Sequence, residues 1–217
     1  MSENDKLTEE KIFEAATDVF LDKGMDGARM QDIASLAGIN KALLHYYYRT
    51  KEKLFTAVFE SIAKNIFRKF APVLDENLSL EEKIRFFFRE HISFLQQNPR
   101  LPAFLLNEVN RHPERIRKFL SKIDFDTLWN TLYVQHRKEF DQYHITKETL
   151  PQMMISIASI SVFPFAAKGI MEGILNKMDI EFNDFIEERK DFAADFVLKS
   201  LTNPEYTPSA GKKVKTE

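Results

Sequence analysis

The chain has 217 residues, a formal net charge of −2 and no cysteine, which excludes disulfides and thiolate metal sites and fits a reducing compartment. No apolar run reaches the roughly 18 residues a membrane span needs, and the longest, residues 153–167, is interrupted by Pro164. The acidic opening MSENDKLTEEK is no signal peptide, so a cytoplasmic protein without a membrane partner is expected.

Helical periodicity runs through almost every segment and no segment keeps period-two alternation for long, so an all-α fold is expected. A first helix is predicted over residues 8–23, with Thr8 as N-cap and a stripe of Ile12, Ala15, Ala16, Val19 and Phe20. Gly24 closes it in the C′ position. A second helix covers residues 30–37 and turns at Gly38, and a third covers residues 41–47 with Asn40 as its N-cap. Thr50 caps a fourth, which carries Leu54, Val58, Ile62, Ile66 and Phe70 as far as Pro72. The capping box Ser79-Leu80-Glu81-Glu82 opens a fifth, with Ile84, Phe87, Phe88, His91, Ile92 and Leu95 on its apolar side. A short sixth helix covers residues 102–111.

The seventh helix opens at His112-Pro113. Its stripe changes phase near Asp124, so it is either buried on two faces there or broken. The eighth, from Met153 onward, is kinked or split at Pro164. The ninth covers residues 182–201, with Phe182, Phe185, Ile186, Phe192 and Phe196 at helical spacing. Residues 204–217 show no periodicity and read as a disordered tail.

Residues 30–54 carry the functional signal. A bracing helix, a glycine turn and a second short helix are the layout of a helix-turn-helix. The acidic average conceals a basic stretch: from Gly38 to Phe70 seven cations face two carboxylates, a local +5. Such concentration is the electrostatic footprint of phosphate binding. At the reading end, Lys41 suits guanine edges, and Ala42 and Leu43 suit thymine methyl groups. Leu43 suits the core equally well, whereas Leu44 falls on the inner side with Ile33 and Leu36. Asn40 stands beside them, primarily as a cap. His45, Tyr46, Tyr47 and Lys51 are expected on phosphates, with Arg29 and Gln31 toward the opposite backbone.

Gly24, Ile33-Ala34-Ser35-Leu36-Ala37-Gly38, the aromatic cluster ending at Tyr48, and Lys51-Glu52-Lys53-Leu54 together resemble the DNA-binding domain of TetR-family transcriptional regulators. The chain departs from that family's pattern at Arg29 and Leu43, where Thr or Ser is usual, and at His45, where the family carries a phosphate-binding tyrosine. The resemblance implies a homodimer on a pseudo-palindromic double-stranded operator, a C-terminal domain that binds a small-molecule inducer, and pairing through the last two helices. The expected division is a three-helix DNA-binding domain, residues 1–50, followed by a larger helical ligand-binding and dimerisation domain, residues 51–203, and the tail.

The wide apolar faces of the eighth and ninth helices agree with pairing into a four-helix bundle. Ile157, Ser161, Phe185, Phe192 and Phe196 are the expected interface. Phe88, His91, Phe104, Trp129, Tyr133, His136 and Phe163 are the expected ligand-binding residues, lining an aromatic cavity for an apolar or flat ligand. No zinc-protease motif, phosphate-binding glycine loop or nucleophile elbow is present, so catalytic residues, a metal and a cofactor are not expected. The reading is a repressor released by ligand, through a population shift transmitted along the fourth helix. The alternatives are an activator or ligand-free regulator, and a helical protein-interaction module.

Overall fold

A computed structural model describes residues 3–74, 77–114, 117, 121 and 124–202. The tail and most of the predicted seventh helix before Asp124 lie outside the described residues. Among those described, every regular element is helical: α1 (Glu3–Gly27), α2 (Met30–Leu36), α3 (Lys41–Tyr47), α4 (Lys51–Phe70), α5 (Leu80–Gln97), α6 (Leu101–Arg111), α7 (Phe125–Gln142), α8 (Leu150–Ala166), α9 (Lys168–Leu175) and α10 (Phe182–Thr202), with short 3₁₀ turns after α4 and α9.

The chain forms two compact units: Met1–Lys69 with Arg100–Phe119, and Phe70–Pro99 with Leu120–Glu217. The division does not fall at residue 50. Helix α4 belongs to the same unit as α1–α3, burying Leu54, Phe55 and Val58, with Phe55 edge-on to Phe20 of α1 at 5.1 Å. Helix α6 follows α5 in sequence but belongs to the first unit, where it lies against α1.

In the first unit, α1 begins at Glu3 rather than Thr8, so Thr8 is inside the helix and does not cap it. Ile12, Ala16 and Phe20 are fully buried, each large side chain contributing roughly 1.5–3 kcal/mol. The helix breaks at Gly24, whose φ of +66° is the left-handed conformation expected of a C′ glycine. Gly38, at φ +68°, ends α2 in a Schellman motif: the Ile39 N–H donates to the Ala34 carbonyl at 3.0 Å and the Gly38 N–H to the Ser35 carbonyl at 3.2 Å.

The second unit is organised on α5 and α10, which run antiparallel and are tied by Arg85–Asp195 at 2.8 Å, Arg89–Asp191 at 3.0 Å and Gln96–Glu187 at 2.9 Å. These exposed pairs fix register more than they stabilise. The energy lies in the core between them, around the fully buried Phe88, Ile92 and Ile186. The Ser79 capping box is formed, with the Ser79 N–H donating to Glu82 Oε2 at 2.8 Å. Asp124 caps α7, accepting from the Thr127 N–H at 2.9 Å, so the phase change read there corresponds to a helix start.

Helix α7 breaks again at His136 (φ −117°, ψ 24°). His136 Nδ1 lies 2.6 Å from Glu139 Oε2, and Glu139 Oε1 accepts from the Leu80 N–H at 2.9 Å, so one carboxylate serves both the imidazole and the start of α5.

Pro164 does not split α8, which continues to Ala166. The bend of 76° into the next helix follows at Ala167. Proline has no N–H for the carbonyl four residues earlier, which here is Ile160. That carbonyl instead accepts two hydrogen bonds from the Arg189 guanidinium on α10, from Nε at 3.1 Å and Nη2 at 2.9 Å. Replacing Arg189 by Ala strands a carbonyl and is expected to cost about 1–3 kcal/mol in urea unfolding. In a Pro164→Ala background the helix supplies its own donor, and the same replacement is expected to cost markedly less; equal costs in both backgrounds refute the pairing.

His91 is largely buried with Nδ1 2.9 Å from Ser161 Oγ, and burial pushes its pKa down to about 4. Below its ordinary value near 6.5 the unfolded chain takes up a proton that the folded chain refuses, so stability falls as pH drops from about 6.5 to about 4. The expected loss is up to about 3 kcal/mol. The difference in unfolding free energy between the unaltered protein and His91→Gln, measured across that window, isolates it from the carboxylates.

Candidate nucleic-acid interface

The helix-turn-helix is held by short-range chemistry. Ile33 and Ala34 of α2 are buried against the unit, and Lys23 of α1 donates to Asp32 at 2.7 Å, holding that carboxyl below its usual range. Arg29 occupies the N-cap position of α2 in extended conformation without a side-chain cap, which leaves its guanidinium exposed at the helix entry. Asn40 caps α3 by accepting from the Leu43 N–H at 2.8 Å. Leu44 is fully buried and pins α3. Leu36 is 58% exposed and is not the inner partner of Leu44 that its spacing suggested. Spacing alone did not reveal that the α2 face carrying Leu36 is left uncovered by the rest of the unit.

With Leu44 turned inward, α3 presents Lys41, Ala42, Leu43 and His45 to solvent, and Tyr46 is 80% exposed. Gln31 is exposed on α2 and reaches Ser35 Oγ at 3.4 Å. Two expected phosphate ligands are engaged inside the unit. Lys51 Nζ donates to the Ala28 carbonyl at 3.0 Å and the Asp26 carbonyl at 3.3 Å, closing the link between α1 and α2. The half-buried Tyr47 hydroxyl donates to Asp5 Oδ1 at 3.2 Å, and the Tyr48 hydroxyl to Glu9 Oε1 at 3.3 Å. Burial first, then the Asp5 carboxylate, raise the Tyr47 pKa, so the phenol remains a donor.

The frame of this surface is completed from far along the chain. Glu108 of α6 is buried, and its Oε1 accepts from the Met25 N–H at 2.9 Å, immediately after the Gly24 break. A Cβ on Gly24 would stand 3.2 Å from the same oxygen. Phe104 of α6 packs on Phe55 of α4 with ring centroids 6.1 Å apart, and Arg100 pairs with Asp18.

Residues 12–58 match the family model for bacterial regulatory proteins, tetR family. The N-terminal domain is of that family's type. The regulator is 26% identical over 184 residues to the negative transcriptional regulator of the biofilm operon icaADBC, IcaR, from Staphylococcus epidermidis, an alignment covering 77% of this chain and 91% of that one. Its fold is similar to a TetR-like regulator from Rhodococcus (TM-score 0.61, 19% identity, 90% of this chain and 96% of that one). A comparable likeness relates it to FadR from Bacillus subtilis, solved in complex with stearoyl-CoA (TM-score 0.60, 15% identity, 86% and 97%). It is a DNA-binding transcriptional regulator and not an enzyme.

The residues expected around a ligand are divided between the two units. Phe104 lies in the DNA-reading unit, Phe88 fills the core of the other unit, and Phe163 is 58% exposed. His136 is buried against Glu139, with its Nε2 lacking a protein partner among the described residues. Trp129 lines a groove of about 350 Å³ together with Leu132, Leu150, Pro151, Met154 and Ile155, and an Asp126–Lys147 ion pair of 2.8 Å sits on its rim. Tyr133 stacks on Trp129 at 5.4 Å from outside that lining.

Of the expected interface residues, Phe192 and Phe196 are exposed and stacked 6.3 Å apart, whereas Ile157 and Phe185 are half-buried. Ser161 is fully buried beside His91, so it is turned away from any partner.

No local pattern marks Glu108, Asp5 or Glu9. Each is a charged residue on a helix whose partner is set by packing. Glu108→Ala leaves the buried Met25 N–H without its acceptor and is expected to cost about 1–3 kcal/mol in chemical unfolding. Glu108→Gln keeps an acceptor of the same shape and is expected to cost less than half as much.

Proposed function

We propose that the regulator is a homodimeric repressor that reads a pseudo-palindromic operator with α2 and α3 and lets go when a small apolar or aromatic ligand binds its C-terminal unit. The observation that carries the reading is the exposed face Lys41–Ala42–Leu43 on a capped helix that Leu44 anchors from behind. Lys41 and Arg29 supply the polar base and backbone contacts, and the two apolar residues favour thymine methyls and operator shape. Two such heads on adjacent major grooves need a separation of about 34–36 Å.

Dimerisation is supported by the exposed apolar side chains of α8 and α10, Ile155, Phe163, Phe192 and Phe196. A ligand is supported by the apolar groove beside Trp129, the chain's single tryptophan, and by the structural likeness to FadR, solved with stearoyl-CoA. The place of action is the bacterial cytoplasm, where the DNA is. Because α5 ends at Gln97 and α6 starts at Leu101, α6 joins α4 as a route by which ligand in one unit shifts populations in the other.

The test begins with duplex DNA enriched by the unaltered protein from a random pool. Binding is expected to weaken steeply between about 50 and about 200 mM salt, and stearoyl-CoA or a flat aromatic compound that quenches Trp129 is expected to release the duplex. Phe192→Asp with Phe196→Asp is expected to give a monomer by light scattering and to lower operator affinity about 100-fold or more, since linked half-site binding is lost. An unaltered protein that scatters as a monomer at micromolar concentration overturns the dimer.

A further inference from the structure

Helix α3 has seven residues, a length of about 10 Å at 1.5 Å per residue. The major groove is about 12 Å wide. When Lys41–Leu43 at the N-terminal end reach base edges, Tyr46 and Tyr47 at the other end stand at the groove wall, where phosphates line the backbone. Tyr46 is free to solvent there, but Tyr47 is not: its hydroxyl is held by the Asp5 carboxylate at 3.2 Å and the Asp5 carbonyl at 3.4 Å. One helical turn further along α1, Glu9 holds Tyr48 in the same way. The early start of α1 at Glu3 is what brings Asp5 to the end of the reading helix.

A carboxylate and a phosphate oxygen are both anionic acceptors for the same phenol donor, and charge-assisted bonds of this kind are the strong ones. A phosphate arriving at Tyr47 therefore displaces Asp5 and meets its negative charge at short range. From this geometry we propose that Asp5 is an internal competitor of the DNA backbone for the Tyr47 hydroxyl, so that the first turn of α1 sets the operator affinity of the regulator. The proposal rests on the DNA-binding role of the chain. Glu9 and Tyr48 form the second member of the same device, Tyr48 being half-buried like Tyr47.

The test is a double-mutant cycle on operator binding, with full-length protein and the duplex it enriches from a random pool. Asp5→Asn is expected to tighten binding about 3–10-fold near 100 mM salt, because the Tyr47 hydroxyl is no longer held by an anionic acceptor inside the protein. Tyr47→Phe removes the contested donor, and in that background Asp5→Asn is expected to change affinity less than 2-fold. Equal tightening in both backgrounds overturns the competition and leaves simple charge repulsion. No tightening, or a loss, overturns it as well. If the unaltered protein enriches no duplex at all, the DNA-binding role falls, an outcome distinct from an Asp5→Asn variant that binds no better than its parent. Thermal melts of the four proteins identify any variant whose fold has changed. For such a variant the cycle is repeated with Asp5→Ser, where absence of tightening again overturns the proposal.

Discussion

The carboxylate of Glu108 on the Met25 N–H is the contact on which the DNA-reading unit depends. Helix α1 has to stop before α2 can brace α3, and Gly24 provides the conformation for that stop. Stopping exposes amides that need acceptors. Met25 is buried, so water cannot serve it, and the chain has travelled through α5 before Glu108 arrives to do so. Phe104 and Arg100 place α6 for this task, one in the apolar interior and one on the rim. The DNA-reading unit is thus discontinuous in sequence, and a nascent chain that has reached the end of α4 still lacks the acceptor for one of its buried amides.

Much of the fold was legible because it rests on neighbours in the chain. Gly24, Gly38, Asn40 and Ser79 each act within one turn, where residue type dictates conformation, and each terminates or starts a helix as its chemistry implies. The family of the N-terminal domain was legible for the same reason. The reading failed where a residue answers to something distant. Leu36 has the spacing of a core residue but no neighbour over it. Ser161 sits on an apolar helix of interface type, yet its hydroxyl is satisfied inward by His91 and by the Ile157 carbonyl at 3.0 Å. The break at His136 has no glycine or proline to announce it.

The reading surface is economical in polar groups. Lys51 and Tyr47, the two side chains best suited by type to hold phosphates, are used to close the unit on itself. What remains outward on α3 is a short face of one ammonium, a methyl and a leucine, flanked by Arg29, His45 and Tyr46. A face of this kind has few hydrogen bonds with which to reject a wrong base, so groove width and deformability carry a larger share of discrimination.

Arg189 joins α10 to α8 through a main-chain oxygen, not through another side chain. The identity of residue 160 is therefore irrelevant to the join, because any amino acid brings the same carbonyl. What matters is that residue 164 be unable to donate. Positions 164 and 189 are thus coupled physically while the side chain at 160 is not: a chain that replaces the proline loses the vacancy, and with it the reason to keep a guanidinium half-buried between two helices.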